Sequence, residues 1–545
     1  MIAAVALTFL SQRSTSVPEP PLFFKIQRAF GRLARRKRLA IVVTGLSVLA
    51  ARGVLIPLLG IPHPKVHDEF SFLLAADTFA HARLTNPTHP MWIHFESFHI
   101  IQHPTYMSMY PPAQGLMLAT GQIMGHPWIG QLLTTALLCS AICWMLQAWL
   151  PPTWALFGAF LAVLRIGILS YWMNGYIAGS LAALAGALVL GALPRIKHHA
   201  RLSYAVAMGL GIAVLANTRP FEGLVFCLPI AAALVIWLLT QKRIVVATVF
   251  RRVVLPLSLI LAATGAGMGY YFWRVTGNPF VMPYQVNRQT YAVAPYFIWG
   301  QPRPVPVYNH AVMRDFYVGL ELHSYQSGLT PRGFFRHLLF KGYALWIFYV
   351  GPALTISFFS FLYLFRDRRM RFPLLVAAAV VFSVIIETWT SPHYVAAATG
   401  LFVLLLVQCL RHLHCWRWKG KPIGAAIVRA VPVVCLTMIV LRIGAAATHV
   451  PIEPPWKHGD IDRADILREL EALPGKQLAI VRYSPSHSPH SEWVYNRADI
   501  DAAKVVWARD MGKKDNQELL EYFSDRKIWL VEADSPAPRL LPYPD

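Results

Sequence analysis

Leu39-Ala-Ile-Val-Val-Thr-Gly-Leu-Ser-Val-Leu-Ala-Ala-Arg-Gly-Val-Leu-Ile-Pro-Leu-Leu-Gly60 is followed, after six further residues, by His67-Asp68-Glu69-Phe70. An apolar run of this length spans a bilayer as a helix. Two adjacent carboxylates therefore stand just where the chain leaves the membrane. Charge is expensive beside hydrocarbon, so acids at that depth tend to face a cavity and do chemistry. A simpler reading exists, because acids also favour the first turn of a helix, and Ser71 to Ala82 has a helical pattern.

Upstream, Arg35-Arg36-Lys37-Arg38 precedes the span, and Lys25 to Arg38 reads as a basic amphipathic stretch lying on the inner membrane face. Basic residues mark the cytoplasmic side, so residues 1–38 are expected inside. No basic region precedes the apolar first ten residues, and no signal peptide is expected. Downstream, apolar runs recur to about Ala447. The 545 residues are 56% hydrophobic and only 14% charged, with a mean hydropathy of +0.45. This composition excludes an ordinary soluble domain and implies a helical bundle, since a chain in lipid must satisfy its own backbone. The formal charge of +23 does not point to nucleic acid, because the basic residues lie in short loops rather than in one patch.

Those loops set the topology: Pro194–Arg201, Gln241–Arg252, Arg366–Arg371 and Arg411–Lys421 fall inside under a count of about eleven spans. Residues 39–447 then form the transmembrane domain, with long external loops at about 61–126 and 274–341. Residues 451–545 are expected as a small α/β domain outside the membrane. Asp460 to Leu473 reads as a helix. Gln477–Tyr483, Lys504–Trp507 and Lys527–Val531 read as strands, with a helix at Asn516–Phe523. The six cysteines lie in spans or in a basic loop, so no external disulfide framework is expected.

Within the first loop, His94, Glu96, His99 and His103 fit no tight metal-ligand template, and no metal is expected. Tyr110-Pro111-Pro112 opens an apolar helix, Ala113 to Met124, too short to cross. Polar turns occupy the same side as Asp68: Met173–Tyr176, Asn217–Gly223 with Arg219, and Glu387–Tyr394 with His393. An arginine at headgroup depth can neutralise a phosphate. Arg288 and Lys341 are further cations on that side.

A first span, an external loop opening with Asp68-Glu69, a Tyr110-Pro111-Pro112 helix, and Arg219-Pro220 and His393-Tyr394 at outer turns resemble the GT-C glycosyltransferases. The resemblance is to the branch of protein O-mannosyltransferases and lipid A aminoarabinose transferases, and it covers roughly residues 39 to 410. It implies a polyprenyl-phosphate-linked sugar as co-substrate, with no other cofactor. It also implies metal-independent inverting transfer with Asp68 as base, and a location in the inner or plasma membrane. The acceptor would be a lipid, glycan or protein. That family usually places a basic residue before its proline. Tyr110 stands there, so phosphate binding rests elsewhere: on Arg219, with His393, Tyr394, Tyr110 and Arg288 around the donor and with Arg288 and Lys341 as competing cations. Asp68 and Glu69 are the catalytic pair; either can be the base, the other positioning a loop or an acceptor group.

Two rivals bear on the same residues. A lipid-sugar ligase or polymerase would work from the late loop, which holds Asp315 and Glu321 among Arg303, Arg314 and Arg332. A transporter would need charge at the midplane; Arg165 and Arg442 lie in apolar runs, but most ionisable residues cluster at span ends.

Overall fold

Apolar runs free of turn residues close their own hydrogen bonds as helices, and most of the chain does so. A computed structural model describes residues 21–240, 243–447 and 461–544. Among them, nine helices are long and apolar enough to cross a membrane, from Lys37–Leu59 to Ile423–Ala445. Two shorter apolar helices, Pro152–Gly167 and Leu202–Ala216, occupy the remaining expected positions. The bundle core is aliphatic, with Leu146, Leu190, Leu404 and Val407 fully enclosed. Close approach depends on glycine at one crossing: a Cβ on Gly186 would stand 1.8 Å from the carbonyl oxygen of Ala397.

Two boundaries move from their expected places. The helix expected to begin at Val253 begins at Arg243 and continues through a wider turn at Phe250–Val254. Arg251 and Arg252 read as loop because they are charged, yet both are exposed on this helix, where long basic side chains keep their heads in water. A second helix starts at Pro331, inside the stretch expected as loop. Its start is set by Thr330, whose hydroxyl accepts from the Gly333 amide at 3.1 Å, with proline at the first helical position.

The two long loops project from one end of the bundle. The first begins with the helix His67–Ala80, passes through a two-residue ribbon pairing Ile100–Ile101 with Met107–Ser108, and returns in the helix Pro112–Ile123. The two helices pack closely: a Cβ on Gly115 would meet that of Ala75 at 2.7 Å. The late loop lies over the turn after Ile386, with Thr388 donating to the Tyr296 carbonyl at 2.9 Å.

The tail is a small α/β unit. Strands Gln477–Arg482, Val505–Arg509 and Lys527–Glu532 run parallel, with Gln477–Arg482 in the middle. Helices Ile461–Ala472 and Lys513–Tyr522 accompany them; Asp460 lies outside the described residues. A fourth strand, Leu540–Pro542, adds antiparallel to Lys527–Glu532. Its proline hides it from a sequence reading, since proline is tolerated only where no ladder donor is needed, as at an edge. The tail sits on the first loop. Phe70 stacks on Tyr495 at 4.4 Å and 2°, Arg463 covers Phe70, and the Ala498 amide donates to Asp77 at 2.8 Å.

Candidate active site at the loop-bearing end

Both readings of the tandem acids hold, one for each residue. Helix His67–Ala80 starts from an extended Val66, which puts Asp68 and Glu69 in the first turn. Glu69 turns inward. Its carboxylate accepts from the amides of Lys65 at 2.6 Å, Val66 at 3.2 Å and Tyr176 at 2.9 Å. It thereby caps its own helix and fastens it to the Met173–Tyr176 turn. Burial pushes its carboxyl up to about 6, and these amides limit the rise. A Cβ on Gly175 would stand 2.1 Å from Glu69 Oε1, so glycine is required there.

Asp68 turns the other way and keeps about a quarter of its side chain, 26%, exposed. One carboxylate oxygen lies 3.1 Å from His67 Nδ1; the other lies 3.6 Å from His99 Nδ1 and accepts from the Tyr110 hydroxyl. Burial opposes the charge. The His67 and His99 rings and the hydrogen bonds from His67 and Tyr110 outweigh it and hold the carboxyl well below its usual range. Burial, with His67 adding to it, pushes the His99 ring down to about 3. His99 has a left-handed backbone, φ 59, uncommon for a residue with a side chain. Two hydrogen bonds to its carbonyl fix it there, from Ser71 Oγ at 2.6 Å and the Met109 amide at 3.0 Å.

Tyr110 joins this group to the bundle. Its ring stacks on Phe72 at 4.5 Å. The helix that follows is tied to the Asn217–Gly223 turn by the Ala113 amide, which donates to the Asn217 carbonyl at 3.1 Å. Arg219 and Tyr394 therefore come within electrostatic reach of the Tyr110 phenol, which burial and Asp68 push well above its usual value. Arg219 lies over the Tyr394 ring at 4.4 Å and 3.5 Å from Glu222. His393 Nδ1 is 2.9 Å from the Tyr171 hydroxyl. Burial and the Arg219 charge push the His393 ring down to about 3, against a smaller opposing pull from Asp68. Asp68, Tyr110, Arg219, His393 and Tyr394 thus form one neighbourhood.

The other two cations are committed elsewhere. Arg288 pairs with both oxygens of Glu321, at 2.9 and 2.7 Å, and donates to the Ala294 carbonyl at 2.7 Å. Lys341 Nζ donates to the carbonyls of Val384 and Glu387. The four first-loop groups weighed as metal ligands separate. His94 reaches the Arg509 carbonyl, Glu96 accepts from Tyr291 and Asn309, and His103 lies edge-on to Trp92. Only His99 joins Asp68, and His67, passed over in the sequence, completes the group. Among the described residues, His67, Asp68 and His99 are the one cluster whose donor atoms all lie within 4.8 Å of each other. Tyr171 and Glu222 also escaped a sequence reading, because both lie inside or beside apolar segments with no motif around them.

No protein-family model matches the chain, and no curated protein sequence does. Solved structures do. ArnT from Cupriavidus metallidurans in the apo state is similar over 90% of this chain and 92% of its own, at 13% identity and a TM-score of 0.50. The same protein bound to undecaprenyl phosphate is similar over 89% and 92%, at 13% identity and a TM-score of 0.46. The Archaeoglobus fulgidus oligosaccharyltransferase in complex with Zn and sulfate is similar over 90% and 67%, at 11% identity and a TM-score of 0.48. The chain has the fold of the GT-C membrane glycosyltransferases: a polytopic helical bundle with loops and a small α/β tail gathered at one end.

Proposed function

We propose that this protein is a membrane glycosyltransferase that moves a sugar from a polyprenyl-phosphate carrier to an acceptor hydroxyl or amine. The reaction takes place at the loop-bearing end of the bundle, which faces outward from a cell membrane. One observation carries the reading: a single phenol, Tyr110, donates to Asp68 while lying within electrostatic reach of Arg219. A lipid-phosphate donor already has a good leaving group. Its site needs a proton acceptor for the incoming nucleophile and positive charge for the departing phosphate, and no general acid. Asp68, with about a quarter of its side chain exposed, is the acid that fits the first task. Arg219, braced by Tyr394 and Glu222, fits the second, with His393 as a neutral hydrogen-bonding wall. Glu69, held by three backbone amides, positions the helix. The orientation rests on the basic loops, which join the opposite ends of the spans.

A ligase acting from the late loop is less well supported, because Glu321 is neutralised by Arg288. The deciding experiment is transfer from radiolabelled polyprenyl-phosphate sugars by membranes carrying Asp68→Asn. A loss of about 100- to 10,000-fold is expected, with the variant still folded and inserted. Near-normal transfer would remove Asp68 from the proton-accepting role.

A further inference from the structure

We propose that His67, Asp68 and His99 form a binding site for one divalent cation of the zinc class. The separations are those of a ligand set. His67 Nδ1 and His99 Nδ1 are 2.9 Å apart, and Asp68 oxygens lie 3.1 and 3.6 Å from them. Atoms bound to zinc at about 2.0–2.1 Å in tetrahedral array stand roughly 3.3 Å from one another. The group can therefore close on an ion with shifts of a few tenths of an ångström. Two imidazoles and one carboxylate suit zinc or its neighbours in the first transition row, whereas calcium and magnesium take oxygen ligands. Three protein ligands also leave a fourth position open, the arrangement of zinc sites that do chemistry.

A chain of hydrogen bonds explains the cluster less well. One hydrogen bond bridges one pair at a time, yet both rings and the carboxylate converge on the same space. A cation satisfies all three donors together. The surroundings hold the rings in that pose. His99 is kept at a left-handed φ, a conformation that persists only where the neighbourhood enforces it. Phe316 lies edge-on to both rings, at 5.2 and 5.8 Å, and Phe98 packs on His67 at 5.7 Å. His67 and His99 are both more than nine-tenths buried. An apolar shell of this kind limits water and strengthens ligation.

The location rests on the transfer reading only for its use, and it departs from the metal-free chemistry that the family resemblance implies. A cation there would present its open position beside the exposed edge of Asp68, where an acceptor oxygen would be polarised.

The test is direct binding to the full-length protein, purified in detergent through a tag without histidine. The protein is stripped with a chelator and then titrated with Zn²⁺ or with Co²⁺, whose visible absorption reports ligand geometry. One equivalent per chain is expected, with a four-coordinate nitrogen–oxygen spectrum. His99→Gln should weaken binding by at least the roughly 10–100-fold that an outer-sphere partner alone is worth, while the exposed His81→Gln should not. No stoichiometric binding by the wild-type protein would overturn the proposal. So would binding that survives in the His67→Gln/His99→Gln double variant. The wild-type cobalt spectrum decides the matter even where a variant fails to fold. Binding is measured without the transfer assay, so failure of the transfer reading leaves this result intact.

Discussion

Arg509→Met tests how the tail is held. The guanidinium donates to Glu492 at 2.7 Å and to the Glu96 carbonyl of the first loop at 2.8 Å, and the Arg509 and Glu492 side chains are only 3% and 1% exposed. Methionine fills much the same space but leaves Glu492 buried without its cation. Breaking a buried ion pair from one side costs about 3–5 kcal/mol. At 1.4 kcal/mol per tenfold, opening of the tail from the loop should rise by about a hundred- to a few-thousand-fold. Hydrogen exchange of the amides in Val505–Arg509 and Gln477–Arg482 reads that change. The double variant Arg509→Met/Glu492→Gln removes the stranded charge and should recover about half of the loss. It should stay below wild type by about 1.5–3 kcal/mol, the worth of the charged bond to Glu96. Unchanged exchange in the single variant, or a double variant no better than the single, would refute the account of this pair.

Tyr110→Phe keeps the stack on Phe72 and removes the bond to Asp68; transfer should fall by roughly 10- to 100-fold, the worth of a charged hydrogen bond, with melting temperature nearly unchanged. Arg219→Ala should raise the apparent KM for the lipid-phosphate donor more than that for the acceptor; equal shifts would take Arg219 off the phosphate. Gly175→Ala pushes a methyl into Glu69 and should lower stability by about 1–3 kcal/mol, measured by thermal unfolding in detergent. Glu387 is 1% exposed with both carboxylate oxygens lacking hydrogen-bond partners. Burial and the nearby Glu222 push it up to about 9. The folded state therefore holds this proton more tightly than the unfolded chain. Its contribution is full below about 4.5 and drains away as pH rises toward about 9. Glu387→Gln should remove that slope, and identical pH–stability curves would contradict the burial argument.

The bundle was legible because length and hydropathy settle the question residue by residue: nothing but a helix can carry Leu39–Gly60 through lipid. The tail strands were legible from their β-branched runs, except the proline-bearing edge. The site was legible by type and less so by partnership. Asp68, Arg219 and His393 stand out as polar residues at span ends. His67 does not, since a histidine beside two acids looks like part of a helix start. The pairing of His67 with His99 depends on a left-handed turn 32 residues away, and periodicity carries no information about such a turn. The separate duties of Asp68 and Glu69 follow from the helix rotation between neighbours, which is visible only once Tyr176 is in place.

The seating of the tail on the first loop also sets an order of assembly. Tyr106 bonds to a carbonyl 390 residues later, His94 to one 415 residues later, and His490 stacks on His67. These contacts cannot exist until the last part of the chain has been synthesised and has reached the same side of the membrane as the first loop. A nascent chain halted after its final span would carry every polar residue of the bundle and still lack the tail's contacts to His67, His94 and Tyr106. Synthesis of the tail is then the event that completes this end of the molecule, and copies lacking it leave His67 without the ring of His490.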